Sequence, residues 1–281
     1  MALSSLKEYH ISHPAYLPNE IMNFSNESDV TVVITCCDRI DLLQETLDSF
    51  FKFNTYPIKQ IIITEDAGNE EVYSVVPSNS KDFFTIIVNK EKLGQIKSID
   101  KAYGIVDTPY VFHCEEDWHF YRKGFIEDSK AILEASSDIY QVRLRSFYHD
   151  IAKKYPFHTL GKEICVNHVT AYELLSNKEK WQGFSFNPGL VRLSDYLNIE
   201  GGYSSFLKDK EYASNVESAL SQYVKKQNGV VAILENDATV HIGYNRHIAN
   251  DKEKKKKIKK KAGITIKIVA VFILGWLSAK L

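Results

Sequence analysis

Short β-branched runs alternate with stretches of helical periodicity through the first half of the chain. Residues 30–35 (VTVVIT) are long enough for one buried strand, and Ile40, Leu43, Leu47 and Phe50 then recur at helical spacing, with Asp38 or Asp41 available as the cap. Residues 61–64 and 84–88 predict a second and a third buried strand, Ile96, Ile99 and Tyr103 a second helix, and residues 110–114 a fourth strand. This order predicts an α/β fold with a largely parallel sheet covered on both faces. In such sheets ligands bind beyond the carboxyl ends of the strands. Acidic residues collect at those ends: Asp38 after the first strand, Glu65 and Asp66 after the second, Glu115, Glu116 and Asp117 after the fourth.

The second half is less regular. A helix near residues 123–135 precedes a strand at 139–144, and residues 181–191 follow, rich in aromatics and glycine. A helix near 212–226 carries Ala213, Val216, Leu220 and Tyr223 on one stripe, ahead of strands at 230–234 and 238–242. Residues 1–28, polar and carrying Pro14 and Pro18, read as an N-terminal arm.

The chain ends differently from how it begins. Residues 251–281 hold ten lysines against Asp251 and Glu253, a balance of +8, whereas the preceding 250 residues hold 25 basic and 34 acidic groups, a balance of −9. An acidic body argues against nucleic acid as its partner. A polybasic linker over 249–261 leads into a hydrophobic stretch at 262–281, which is expected to associate with the membrane as a helix, the lysines lying on the cytoplasmic side against anionic lipid. The N-terminal residues lack the apolar core of a signal peptide, and Cys36, Cys37, Cys114 and Cys165 lack metal-site or redox spacing. The expectation is a domain on the cytoplasmic face of a membrane, with free thiols.

Three adjacent carboxylates at a strand end are costly to hold without a cation, and carboxylate oxygens are ligands that Mg²⁺ or Mn²⁺ prefer. An acidic turn that merely caps the next segment is the bland alternative. The surroundings add to the metal reading. Thr35-Cys36-Cys37-Asp38-Arg39 after the first strand, Thr64-Glu65-Asp66-Ala67-Gly68 after the second, Gly94 leading into a helix, and CEEDWHF over 114–120 occur in that order. The arrangement resembles the GT-A glycosyltransferases, particularly the family 2 type. There a Thr-x-Asn-Arg turn, an Asp-Asp-Gly-like turn and an Asp-x-Asp motif bind a nucleotide-sugar, and the Glu-Glu-Asp-Trp run looks like a bacterial variant of the last.

The resemblance implies a Rossmann-like GT-A fold, with residues 29–118 as the nucleotide-sugar half and 119–248 as the acceptor half. It implies donor contacts from Thr35, Asp38, Glu65 and Asp66, with Glu115 or Glu116 reaching ribose or the metal's water shell. Asp117 would hold Mn²⁺ or Mg²⁺, and His241, placed like the late histidine of many GT-A enzymes, would join it. Lys97, one turn after Gly94, could face the diphosphate, although a solvated lysine explains it as well. Trp181, Phe184 and Asn187 lie in a stretch that resembles the loop shaping the sugar and acceptor sites; a core cluster with an Asn-Pro-Gly turn is the plainer reading. Asp38 stands where the family has Asn, and Ala67-Gly68 where it has Gly-Ser.

An inverting transferase needs a carboxylate base at the acceptor hydroxyl. Glu217 sits at the edge of the apolar stripe of its helix, where burial would raise its pKa; Glu211, at the helix start, is the alternative and is explained by the helix dipole. The function expected is transfer of a sugar from a nucleoside diphosphate, UDP foremost, to a lipid-linked or glycan acceptor, in surface polysaccharide or glycolipid synthesis. A catalytically silent nucleotide-sugar-binding scaffold is the alternative. A nucleotidyltransferase would need glycines after the first strand, and residues 35–41 contain none.

Overall fold

The structure, a computed structural model, describes residues 23–179, 183–208, 213–244 and 246. The expected arm up to residue 22, Trp181, Glu211, and all of the expected linker and membrane helix lie outside the described residues. Met1–Ile242 form one compact unit, and Gly243–Leu281 form a second. Among the described residues no helix is long and apolar enough to cross a membrane.

Eleven strands and six helices are described. The first half runs β1 (Val30–Cys36), α1 (Ile40–Phe53), β2 (Gln60–Glu65), β3 (Phe84–Val88), α2 (Gln95–Tyr103), β4 (Tyr110–Glu115) and β5 (Trp118–Phe120). The second half runs α3 (Phe125–Glu134), β6 (Ile139–Arg143), α4 (Ala152–Lys154), β7 (His158–Val166), β8 (Val169–Ser176), β9 (Gly189–Arg192), α5 (Leu193–Leu197), α6 (Ala213–Lys226), β10 (Val230–Leu234) and β11 (Thr239–His241). The main sheet has the order β3-β2-β1-β4-β9-β6-β10-β8-β7. Its pairings leave β8 and β9 running against the other seven strands, so β1, β2, β4, β6 and β10 all end at one edge.

The expected parallel core is therefore present over β3-β2-β1-β4, and the sheet beyond it is mixed. The alternation of side chains along each strand feeds two apolar layers. Val30, Val32 and Ile34 of β1 pack with Leu43, Leu47 and Phe50 of α1, while Val33 packs on the other face with Ile96 and Ile99 of α2 and Val216 and Leu220 of α6. Burial of these continuous β-branched strands on both faces made them legible. The β7–β8 hairpin was not expected from the sequence: apart from buried His158, Ala171 and Leu174 its residues are half-exposed or exposed, and it turns at Asn167 and His168 with positive φ, without glycine. The expected last strand is three residues long and pairs with β5 in a separate ribbon, not in the main sheet.

The first helix lacks its expected cap. Asp38 holds a positive φ of 55° and Asp41 falls inside the first turn; the residue at the cap position is Arg39, whose side chain makes no cap bond. Asp38's own amide is drawn to a carboxylate of the neighbouring turn instead.

His113 of β4 is a cost within this core. It is 2 % exposed, its ring lies edge-on to Tyr103 and Phe186, and neither ring nitrogen has a hydrogen-bond partner among the described residues. Burial lowers its pKa from 6.5 to about 3. The unfolded chain therefore binds the extra proton between these values, so stability is full above pH 6.5 and falls as the pH drops towards 3. His113→Phe is expected to flatten that part of the stability profile and to leave neutral-pH stability equal or higher, because an unsatisfied buried polar group costs about 1–3 kcal/mol. Urea unfolding of both proteins at mildly acidic and neutral pH measures it; an unchanged acid slope would show that His113 is not the group being titrated.

Candidate functional site

The carboxyl edge of β1, β2 and β4 is built from carboxylates that hold backbone turns. Glu65, at the end of β2, accepts the Asp38 amide at 2.8 Å through Oε1, and the Ala67 and Asn69 amides at 3.0 and 2.6 Å through Oε2. Asp66 accepts the Leu93 and Gly94 amides at 2.8 Å each, along with Asn89 Nδ2 and Ser98 Oγ at 3.1 Å. It thereby ties the start of α2 to the end of β2. Gly94, with φ +86°, has the backbone freedom that this turn requires. Both acids thus organise the turns around the expected donor pocket. Asp38 is exposed and accepts Asn69 Nδ2 at 3.0 Å, Thr35 is buried, and Lys97 is exposed on α2.

The acidic run leaves β4 between two anchors, Cys114 at 0 % and Trp118 at 1 % exposure. The α1 hydroxyls fix it from behind: Thr46 Oγ1 donates to the Glu116 carbonyl at 2.6 Å and accepts the Trp118 amide at 3.1 Å. Each acid then faces a different partner. Glu115 accepts Gln95 Nε2 at 2.8 Å, Trp118 Nε1 at 3.1 Å and Asn187 Nδ2 at 3.2 Å. Glu116 accepts the Cys37 amide at 3.1 Å and Arg39 Nε at 2.8 Å. Asp117 Oδ2 accepts Arg39 Nη1 at 2.7 Å and lies 3.1 Å from His241 Nε2.

Arg39 therefore bridges two of the three acids. Burial raises the Glu116 pKa to about 7 despite the guanidinium beside it. Burial also acts on Asp117, but His241 and Arg39 outweigh it and hold that carboxyl below its usual range. Glu115 is raised, first by burial and then by the charge of Asp117. The motif around Arg39 was recognised in the sequence without a role for the arginine. Its signal was its position as the cation flanking the first-strand turn.

A loop over 183–188 brings in the second half of the site. Gly189 of β9 permits its approach, since a Cβ there would stand 2.7 Å from the Val142 carbonyl oxygen of β6. Asn187, while donating to Glu115, accepts Arg145 Nη1 at 2.6 Å and Arg143 Nη2 at 3.3 Å. Glu217, on α6, accepts Ser185 Oγ and the Phe186 amide through Oε1, both at 2.9 Å. Burial raises its pKa to about 7. Ser185 Oγ also accepts the Asn187 amide at 3.2 Å, so Glu217 and Glu115 are joined through a single loop. Phe184 is 5 % exposed and packs edge-on against Phe186 and Tyr203 in the core.

Among the described residues no three His, Cys, Asp or Glu converge as a ready cation cage. Asp117 and His241 nonetheless form a pair, and Asp117 Oδ1 is buried without a hydrogen-bond partner among the described residues. One carboxylate and an imidazole, completed by substrate phosphates and water, suit Mn²⁺ or Mg²⁺ better than a protein-only cage would. The residues therefore fit the ion.

Removing the bridge should expose its contribution. Arg39→Met leaves two buried carboxylates without their cation, a change expected to cost about 3 kcal/mol of stability. Thermal unfolding should show a larger loss without divalent cation than with Mn²⁺, which would occupy the same acids. Equal losses in the two conditions would mean that the ion does not reach Asp117.

The architecture matches solved structures at low identity. A mannosyltransferase from Pyrobaculum calidifontis, in complex with GDP-Man and Mn²⁺, is 15 % identical with a TM-score of 0.56, over 78 % of this chain and 58 % of that one. S. aureus TarS 1-349 is 13 % identical with a TM-score of 0.54, over 75 % of this chain and 59 % of that one. Its complex with UDP-GlcNAc gives 12 % and 0.55, over 78 % and 62 %. This chain thus spans about three-fifths of the length of these structures. At such identities they establish the fold. No curated protein matches the sequence. Residues 31–188, more than half of the chain and all of the strand-end motifs through Asn187, match Glycosyl transferase family 2, and the chain belongs to that family.

Proposed function

We propose that this protein transfers a sugar, with inversion, from a nucleoside-diphosphate sugar to a hydroxyl of a lipid-linked or glycan acceptor. The observation that carries the reading is one connected network at the sheet edge. It joins a strand-end Glu115–Asp117 run to Glu217, a half-buried carboxylate with a pKa of about 7. A base with that pKa is ionised in a useful fraction at neutral pH and still accepts a proton effectively.

In this reading the turns after β1 and β2 hold the nucleotide, and their shape is set by Glu65, Asp66 and Glu116. Asp117 and His241 would hold a Mn²⁺ or Mg²⁺ ion, which supplies charge neutralisation at the leaving diphosphate. Glu217 takes the proton from the acceptor hydroxyl as that oxygen bonds to the anomeric carbon. The bond from that carbon to the diphosphate oxygen breaks, and the nucleoside diphosphate leaves with the electron pair. Ser185 and the Phe186 amide orient the base by binding one oxygen. The UDP and UDP-GlcNAc complexes of TarS favour a UDP-sugar, and the GDP-Man complex of the mannosyltransferase makes GDP-sugars the next donors to test. The tail composition supports placement on the cytoplasmic face of a membrane, with a role in polysaccharide or glycolipid synthesis.

Product mass spectrometry over a panel of nucleotide-sugars, with Mn²⁺, tests the activity. Absence of both transfer and donor hydrolysis across the panel would favour a silent binding scaffold. Asp117→Ala is expected to abolish transfer. Glu217→Gln should lower turnover by roughly 10²–10⁴ with little effect on donor affinity. In the unmodified protein kcat/KM should rise with pH through about 7, as Glu217 loses its proton, and this limb should vanish in Glu217→Gln. Weakened donor binding with normal turnover would move the base elsewhere.

The membrane reading has its own test. Replacing Lys254–Lys257 and Lys259–Lys261 by Gln in the full chain should weaken sedimentation with anionic vesicles, most clearly at low salt. Unchanged sedimentation would remove the polybasic segment from the account.

A further inference from the structure

The transfer chemistry above leaves Arg143 and Arg145 without a task. They lie two residues apart at the carboxyl end of β6 and are 3 % and 5 % exposed. Arg145 directs Nε and Nη2 to one oxygen of Asp150, at 2.9 and 2.7 Å, while Lys154 takes the other oxygen at 2.7 Å. Arg143 is held by neutral oxygens alone: the Gly183 carbonyl at 2.9 Å and the Asn187 side chain at 3.3 Å. No carboxylate of the described residues forms an ion pair with it, and its Nε is buried without a hydrogen-bond partner among them.

A buried guanidinium on neutral acceptors is an expensive arrangement, and a second guanidinium alongside increases the expense. Arg143 cannot escape by losing its proton at neutral pH: burial and the charge of Arg145 push its pKa down only to about 9. Asn187 Oδ1 meanwhile occupies the point where the two guanidiniums converge. A planar fork of N–H donors matches an oxyanion with two or more oxygens much better than it matches one amide oxygen. Arg145 is also flanked by the rings of Trp118 and Tyr155, at 5.2 and 5.7 Å, and Tyr155 is 42 % exposed, which places the pair's outer wall at the surface.

We propose that Arg143 and Arg145 form an anion subsite, with Asn187 as its placeholder, for a phosphate or carboxylate group carried by the acceptor. The subsite adjoins Asn187 and Ser185, which join it to Glu217. An anion seated there displaces the Asn187 oxygen from the guanidiniums and satisfies Arg143 Nε. The acceptor assignment rests on the transfer reading; the anion site itself does not.

Side-chain Nε–Hε NMR of the full chain, labelled with ¹⁵N-arginine, tests the proposal without turnover. The Arg143 signal is assigned by its loss in Arg143→Lys. Inorganic phosphate and, separately, acetate are titrated in the presence of saturating UDP, which blocks any phosphate site of the donor. The expected result is a saturable shift of the Arg143 signal, with phosphate and acetate arms showing which oxyanion is preferred. Arg145→Lys, which keeps the charge and loses the fork, should weaken the apparent Kd about tenfold, the scale of one lost charge-assisted hydrogen bond. An Arg143 signal that does not move with either anion would overturn the proposal, as would equal affinity in Arg145→Lys. Binding of UDP and transfer of sugar are measured independently, so failure of the anion site leaves the transferase reading intact, and failure of transfer leaves the anion site intact.

Discussion

Three carboxylates on consecutive residues cannot share a half-buried turn unless their charges are separated or compensated, and the fold does both. Backbone geometry sends Glu115 towards α2 and the 183–188 loop, and Glu116 and Asp117 towards α1. Arg39 supplies the compensation for the last two. Because Arg39 sits at the start of α1 and Glu116 also takes the Cys37 amide, the same contact fixes the turn after β1. The turn after β1 and the acidic motif are thus one mechanical unit. A cation that competes for Asp117 must act on Arg39, and through it on that turn. In the proposed function, donor binding and ion binding would thereby be coupled through the contacts of Arg39.

The same economy explains which features were legible in the sequence. Strands buried on both faces read as unbroken apolar runs, so β1, β2, β4 and β10 stood out, with ends close to those observed, and the half-buried edge strand β3 carries a similar run. Glu217 was legible for a related reason: a carboxylate beside an apolar helical stripe has few solvent-facing options, and burial accounts for its raised pKa. What escaped was decided by long-range pairing. β9 is four residues of ordinary composition whose place between β4 and β6 depends on Gly189. The cap expected from Asp38 or Asp41 failed because a carboxylate 27 residues away bids for the Asp38 amide, and no local pattern encodes that competition. Arg39 was visible as a letter in a motif; its role required knowing that Glu116 and Asp117 fold back onto it.

Burial accounts for the most consequential numbers at the site, and it acts in opposite senses. It raises Glu116 and Glu217 to about 7, where a carboxylate becomes a competent base, and lowers Arg143 to about 9. Glu116 and Glu217 begin from the same shift yet differ in what surrounds them. Glu116 is clasped by a guanidinium and a backbone amide, and any proton transfer there would break the contact that shapes the β1 turn. Glu217 is bonded only by neutral donors, a hydroxyl and an amide, so taking up a proton there breaks no ion pair. In the proposed function, the distinction between a structural acid and a base would therefore lie in the charge of the partners, because both shifts are upward to about 7.

The 183–188 loop is where these effects meet. Its carbonyl at Gly183 and its side chain at Asn187 hold Arg143, while Ser185 and Phe186 hold Glu217. Asn187 spans the two charge signs, donating to Glu115 and accepting from the arginines. A ligand that takes the arginines away from Asn187 acts on a residue whose other end is bound to the acidic run. Its amide is bound to Ser185, the residue that orients Glu217. In the proposed function, charge on an acceptor and placement of the base would consequently be linked through the adjacent residues Ser185, Phe186 and Asn187. That is a shorter path than any route through the sheet, and one that depends on Gly189 letting β9 lie against β6.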